Sequence, residues 1–261
     1  TSEPIKKPPV TLTQSNAIFA LDIGTRSVVG IVGVHDGNIF HVLDYEQSFH
    51  QERAMRDGQI EDIALVADVV KNIKNALEKR NKLKLTKVCI AAAGRALITK
   101  KMTYTQELNP TEEITENLLS AMEYSALGIA QSEFDHDLEE HPENKTTFYC
   151  VGYSVTKYRL DNYESSIIIG HKGKEVTIDL IAAFLPQNVV QNLYAVMTAN
   201  QLTVENLTLE PIAAINVVVP KDIRLLNIAL VDIGAGTSDI AISKDGSIIA
   251  YDMVTTAGDE I

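Results

Sequence analysis

Asp232-Ile233-Gly234-Ala235-Gly236-Thr237-Ser238-Asp239 follows the apolar run Ile228-Ala229-Leu230-Val231 and leads into a second β-branched run, Ile240 to Ser243. Near the start of the chain, Asp22-Ile23-Gly24-Thr25-Arg26-Ser27 has the same setting, between Ile18-Phe19-Ala20-Leu21 and the stretch Val28 to Val34. Each reads as strand, tight glycine turn, strand: a β-hairpin whose turn is made of small residues. Such a turn beside an aspartate suits phosphate. Its N–H groups and hydroxyls can surround phosphate oxygens, while the carboxylate holds or positions a hydrated divalent cation. One hairpin of this kind is ordinary turn chemistry, because glycine supplies positive φ wherever a tight hairpin needs it. Two copies form a pattern, and two that faced each other would clamp a polyphosphate from both sides.

Outward from the first hairpin, strand-like runs at 17–22, 28–34 and 38–46, the last two joined by Asp36-Gly37, predict an antiparallel meander. Asp57-Gly58 punctuates the chain, and Asp62 is placed to cap a helix. Ile63, Val66, Ala67, Val70, Ile73, Ala76 and Leu77 follow at three- and four-residue steps, an amphipathic helix ending in basic residues. Val88 to Gly94 is all apolar, as a buried parallel strand is. The texture then changes. Thr111 to Gln131 has helical periodicity opened by Thr111-Glu112-Glu113, Phe134 to Lys145 reads as an acidic solvated loop, and Thr147–Leu160, Tyr163–Ile169 and Glu175–Phe184 read as strands. Beyond Pro186 come a helix to about Asn200, a strand at Thr203–Leu209, a helix at 211–218, and the second hairpin with a third strand, Ser247–Val254.

At 261 residues, with 45% hydrophobic and 22% charged residues, the chain is an ordinary globular protein with room for two modest domains. A net charge of −12 argues against sequence-independent nucleic-acid binding. The lysine-rich stretch Lys71 to Lys87 reads as the solvated face and exit of a helix. Cys89 and Cys150 sit in strand-like runs and read as unpaired thiols; the six histidines have no metal-ligand spacing. No apolar stretch approaches the ~20 residues of a membrane span.

On these motifs the chain resembles the actin-like ATPases, a superfamily that includes the DnaK-type chaperones and the sugar kinases, and within it the FtsA and PilM proteins. Asp22-Ile23-Gly24-Thr25 is similar to the first phosphate loop and Asp232 to Asp239 to the second. Leu209-Glu210-Pro211-Ile212-Ala213-Ala214 is similar to the connecting segment that orients the attacking water. Sugar kinases usually lack the closing aspartate that stands here as Asp239.

The resemblance implies an α/β, actin-like (RNase H-like) first lobe in two halves, 16–100 and 177–209. A small α+β subdomain of the FtsA 1C type would be inserted between them at 101–176, with the start of a second lobe at 210–261 and a flexible leader at 1–15. It implies ATP and Mg²⁺ as ligands, with Asp22 and Asp232 holding the cation. Gly24, Thr25 and Arg26, with Gly234, Ala235, Gly236, Thr237 and the Gly258 turn, would meet the nucleotide. Glu210 and Asp232 would serve hydrolysis; alternatively, Glu210 before Pro211 is a helix-start carboxylate favoured by the macrodipole. FtsA relatives tend to carry lysine where Ser27 stands, which departs from the pattern beside Arg26. The family's chains normally run well past residue 261, into the adenosine-binding segment and any membrane-binding C-terminal helix, so the stretch by itself is expected to bind ATP weakly and not to hydrolyse it.

The implied role is a nucleotide-dependent scaffold or filament former of bacterial cell division, cytoplasmic or peripheral at the inner face of the membrane, with protein partners at the inserted subdomain and self-association. A PilM-like pilus-assembly scaffold, a small-molecule kinase of the same superfamily and a non-hydrolysing interaction protein are the alternatives.

Overall fold

The computed structural model describes residues 11–37, 39–51, 54–94, 96–140, 146–165, 167–220, 223, 226–244 and 247–259; of 137–140 it describes the backbone alone. In chain order the elements are β1 (Ile18–Ile23), β2 (Ser27–His35), β3 (Phe40–Phe49), the short β4 (Met55–Arg56) and β5 (Gln59–Ile60), α1 (Ile63–Asn81), β6 (Lys87–Ala92), β7 (Ile98–Glu107), α2 (Glu116–Glu140), β8 (Phe148–Leu160), β9 (Tyr163–Ser165), β10 (Glu175–Pro186), α3 (Gln187–Ala199), β11 (Thr203–Leu209), α4 (Glu210–Val218), β12 (Ile228–Ile233), β13 (Ser238–Lys244) and β14 (Ser247–Val254). They form two compact units. One comprises Thr1–Arg56, Ile60–Ala91 and Asn192–Leu207, the other Asp57–Gln59, Ala92–Gln191 and Thr208–Ile261.

The first unit is built on a five-stranded sheet of order β11-β6-β1-β2-β3. The meander β1-β2-β3 is antiparallel and β6 runs parallel to β1, as the sequence predicts. Parallel pairing needs a crossover, and α1 supplies it. Asp62 caps α1, its side chain accepting from Leu65 N at 3.0 Å. Val66, Val70, Ile73 and Leu77 are fully buried on the face laid against the sheet. Gly30 of β2 makes that approach possible, since a Cβ there would stand 2.5 Å from Ile73 Cγ2. Arg80 fastens the far end of α1 to the outer strand, with two 3.0 Å bonds to Asp44, one of 2.8 Å to Tyr45 O and an ion pair with Glu46. The residues expected as a flexible leader divide: 1–10 lie outside the described residues, whereas Gln14 is held on Lys84 by two hydrogen bonds of 2.5 and 2.8 Å.

The second unit contains a four-stranded sheet of order β7-β10-β8-β9, antiparallel throughout, covered on one face by α2. The buried stripe of α2 is Leu119, Met122, Ala126, Ala130 and Phe134, at steps of three and four. It packs on Ile178, Leu180, Ala182 and Phe184 of β10. The helix differs from the sequence reading at both ends. It starts at Glu116, where Thr115 Oγ accepts from Leu118 N at 3.2 Å, and not at Thr111. It also runs through Phe134 to Glu140, where an acidic loop was expected from Phe134 to Lys145. Phe134 is the cause: it stacks on Phe148 at 5.1 Å and meets Phe184 at 4.8 Å, so core packing carries the helix into its acidic stretch. The remainder of that stretch, 141–145, lies outside the described residues.

β7 was not foreseen, because its Thr- and Lys-rich sequence has no apolar run. It is nevertheless paired with β10 along its whole length, from Glu175↔Glu107 to Phe184↔Ile98. Borders at 100/101 and 176/177 therefore fall inside two strands of one sheet, and β10 is central to the four-stranded sheet. β9 stops at Ser165, short of the expected Ile169, and β3 extends to Phe49 instead of residue 46. The same unit holds the three-stranded sheet β12-β13-β14, with α4 packed on β12 and β13.

Phe184 is fully buried beneath α2. Phe184→Ala should therefore cost about 3–5 kcal/mol. In urea denaturation, this substitution shifts the midpoint strongly, and Ile167→Ala, at a site 71% exposed, leaves it nearly unchanged.

Candidate phosphate loops

Each Asp-Ile-Gly hairpin is closed by the same backbone bond. Gly24 N donates to Ser27 O at 3.0 Å, and Gly234 N donates to Thr237 O at 2.8 Å. Asp22 pairs with Val29 and Ile23 with Val28 in the first; Asp232 pairs with Asp239 and Ile233 with Ser238 in the second. The two loops are therefore equal in length and register. The sequence reading names Thr25 in the first loop and Thr237 in the second as phosphate contacts. The register sets Ser27 at the place of Thr237, Arg26 at that of Gly236 and Thr25 at that of Ala235. Ser27 was not among the expected site residues, and only the ladder shows that it occupies the place of Thr237.

The first loop belongs to the first unit. Asp22 is exposed at the end of β1 and Gly24 and Thr25 are half-buried. The end of β3 braces the loop: His50 N donates to Arg26 O at 3.1 Å, His50 Nε2 to Gly24 O at 3.1 Å, and Gln47 Nε2 to Ser27 Oγ at 3.1 Å. Burial holds the His50 imidazole below its usual pKa, so the neutral ring with Nε2–H is the form that fits.

The second loop lies in the second unit. Asp232 is exposed, and its cross-strand partner Asp239 is 3% exposed, with Oδ1 accepting from Gly94 N at 3.1 Å. Burial above all, and then the Asp232 carboxylate, push the Asp239 pKa up; the Gly94 N–H and the Thr237 side chain pull it down. Thr237 is buried under the Asp57-Gly58 turn. Gly58 has φ +74°, and a Cβ there would come within 3.0 Å of Thr237 Cγ2, so both its conformation and the close approach require glycine. The Gly258 turn is brought onto the loop by Gly258 N to Gly234 O at 3.0 Å and Asp259 N to Ala235 O at 2.9 Å, and Ser238 Oγ bonds Thr256 O at 2.8 Å. Gly58 and Gly94 were read as a turn signal and a strand end. Nothing in the sequence ties either to a loop more than a hundred residues away.

Glu210 is the first residue of α4, after Leu209, which makes no side-chain cap bond, and before Pro211. It is half-buried, on a helix packed against the hairpin strands β12 and β13. That position serves either reading of Glu210. As donors, the exposed carboxylates Asp22 and Asp232 suit a hard cation that keeps its waters. The Asp232–Asp239 pair supplies a concentration of negative charge that such a cation would offset. Among the described residues there is no cluster of three His, Cys, Asp or Glu able to hold a metal, and no helix long and apolar enough to cross a membrane.

No protein-family profile matches the chain. In the solved structure of the PilM–PilN type IV pilus biogenesis complex, one chain superposes with a TM-score of 0.60 at 17% identity, over 93% of this chain and 62% of that one. The fold is that of the actin-like ATPases. In sequence the chain is similar to the cell division protein FtsA of Pseudomonas aeruginosa, at 26% identity over 255 residues, 94% of this chain and 55% of that protein. FtsA of Helicobacter pylori is 21% identical over 248 residues, 88% of this chain and 49% of that protein. The chain spans about half the length of the curated relatives it matches. The actin-like expectation is met on both counts.

Asp239 titrates higher in the folded protein than in the unfolded chain. The folded state therefore holds its proton more tightly, and this contribution to stability is lost as the pH rises through the folded pKa. Asp239→Asn keeps an acceptor for Gly94 N and has no charge to desolvate. Its thermal midpoint should lie above that of the wild type at pH 7.5. The two should converge as the pH falls toward the ordinary aspartate value of 3.8.

Proposed function

We propose that this chain is the phosphate-binding part of an FtsA-like, actin-like protein of bacterial cell division, a nucleotide-dependent scaffold or filament former that binds ATP with Mg²⁺. The observation that carries the reading is the matched pair of Asp-Ile-Gly hairpins, equal in register and closed by the same bond, in a chain similar to FtsA along most of its length. Phosphoryl transfer asks for positioning and charge neutralisation more than for covalent chemistry, and these loops offer both. Gly24, Thr25 and Arg26 of the first loop, and Gly234 to Thr237 with the Gly258 turn of the second, would take phosphate oxygens. Asp22 and Asp232 would hold Mg²⁺ through its waters, and the bound ion would neutralise charge on the phosphates. Glu210 would orient the attacking water.

Partners and location belong to the same proposal: ATP and ADP, division proteins met through the subdomain built on β7-β10-β8-β9, self-association, no nucleic acid, and a cytoplasmic place, peripheral at the inner face of the membrane. The likeness to PilM favours a second reading, a pilus-assembly scaffold on the same fold. A small-molecule kinase would need an acceptor pocket, and a non-hydrolysing binder would use nucleotide only as a structural element.

In a protein of the relatives' full length, Asp232→Ala should abolish Mg-dependent phosphate release and weaken ATP binding. Glu210→Ala should slow release by about 10²–10⁴-fold with binding nearly intact, because orienting water matters in the transition state. If Glu210→Ala turns over ATP at the parent rate, Glu210 is a helix-start carboxylate only. ADP formation that requires an added acceptor would favour the kinase, and no turnover the structural binder.

A further inference from the structure

We propose that His50 is the positioning residue of the first phosphate loop: its neutral imidazole and its own amide hold the Gly24 and Arg26 carbonyls back, which sets the direction of the loop's N–H groups. This rests on the phosphate-loop reading of Gly24 to Arg26 and assigns the residue that shapes that site.

The geometry is local to one unit. His50 Nε2 lies 3.1 Å from Gly24 O and His50 N lies 3.1 Å from Arg26 O. The peptide groups are planar, and no cis bond occurs among the described residues. In a trans peptide the carbonyl of one residue and the N–H of the next point in opposite directions. Turning Gly24 O onto the imidazole therefore turns the Thr25 N–H away from β3, and turning Arg26 O onto the His50 amide does the same for the Ser27 N–H. An anion site made of backbone amides needs this kind of preset direction, since a loop that must reorient on binding loses affinity to the cost of ordering.

The bond also fixes the ring's protonation. A carbonyl accepts only, so Nε2 carries the hydrogen and Nδ1 is the bare nitrogen. Nδ1 is buried and has no hydrogen-bond partner among the described residues. A second proton would have to sit there without an acceptor. Among the described residues, the β1–β2 loop meets His50 through the Arg26 carbonyl, and Ser48 and Phe49 at the end of β3, both uncharged, with Asp68 and Lys71 of α1, line a cavity of 360 Å³ that His50 also lines. The two α1 charges are opposite in sign, so neither protonation state is clearly favoured from that side. Lowered pKa and geometry agree: the loop is set when the ring is neutral and loosens in acid.

Gly24 N–H, the donor that closes the loop, gives a readout independent of nucleotide. In the chain labelled with ¹⁵N-glycine, the Gly24 exchange rate is compared with those of Gly30 and Gly33 in β2, which report that the sheet is folded. His50→Phe keeps the bulk and removes the donor; Gly24 exchange should rise about tenfold. His50→Gln returns a side-chain N–H and should restore most of the protection. The wild-type ring should show the Nε2–H tautomer by ¹⁵N shifts, with Gly24 protection falling as the ring titrates. Unchanged Gly24 exchange in His50→Phe, a glutamine variant no better than the phenylalanine one, or an Nδ1–H tautomer would each overturn the proposal. Titration with Mg·ATP, carried out on a protein of the relatives' full length, separates the two ideas. Shifts at Gly24 in the wild type that weaken in His50→Phe support positioning for phosphate. No shift at any loop glycine sinks the phosphate reading, while the exchange data still decide whether His50 holds the loop.

Discussion

A peptide group is rigid, so a loop that offers amides on one side must turn its carbonyls to the other and give them donors there. This constraint organises both Asp-Ile-Gly hairpins. In the first, β3 supplies the donors through His50, and β3 can do so because it extends to Phe49 alongside Ser27. In the second, the carbonyls of Gly234 and Ala235 receive the N–H groups of Gly258 and Asp259. Similar loops are thus braced from different directions: by the strand that follows the hairpin's partner in the first, and by a turn beyond β14 in the second.

The second constraint is electrostatic. Asp239 stands where the first hairpin has Val29, directly across the ladder from Asp232, in a buried place where Gly94 N is a backbone donor. Two carboxylates this close repel, and burial deepens the penalty. The arrangement is tolerable because Asp232 is exposed and because Thr237 and Gly94 direct hydrogen bonds at Asp239. It is also a place where a cation lowers the energy, the property that a Mg-dependent phosphate site needs.

The four-stranded sheet and α2 share a hydrophobic cluster assembled from distant segments. β7 and β10 pair over ten residues each, although α2, β8 and β9 intervene in sequence. Phe134, Phe148 and Phe184 come from three elements and meet in one cluster. The outer strand β7 presents threonine and lysine to solvent, a polar edge that discourages unwanted strand pairing.

By itself the sequence determined the antiparallel meander, the α1 stripe with its Asp62 cap, the parallel β6 and both glycine hairpins. Each is a local signal, carried by period, cap or turn residues within a few positions. It also carried the actin-like resemblance, because three short motifs in order are local too. Only the tertiary structure decided the rest. β7 offers the core only Met102 and Tyr104 at alternate positions and becomes a strand because β10 offers a ladder to it. α2 continues through an acidic stretch because Phe134 finds two rings to pack on. Ser27 matches Thr237 because ladder register, not residue likeness, counts the loop. Gly58, Gly94 and His50 reach the loops through contacts that close over long stretches of chain, and a hydrogen bond between distant residues leaves no period or spacing in the sequence to read.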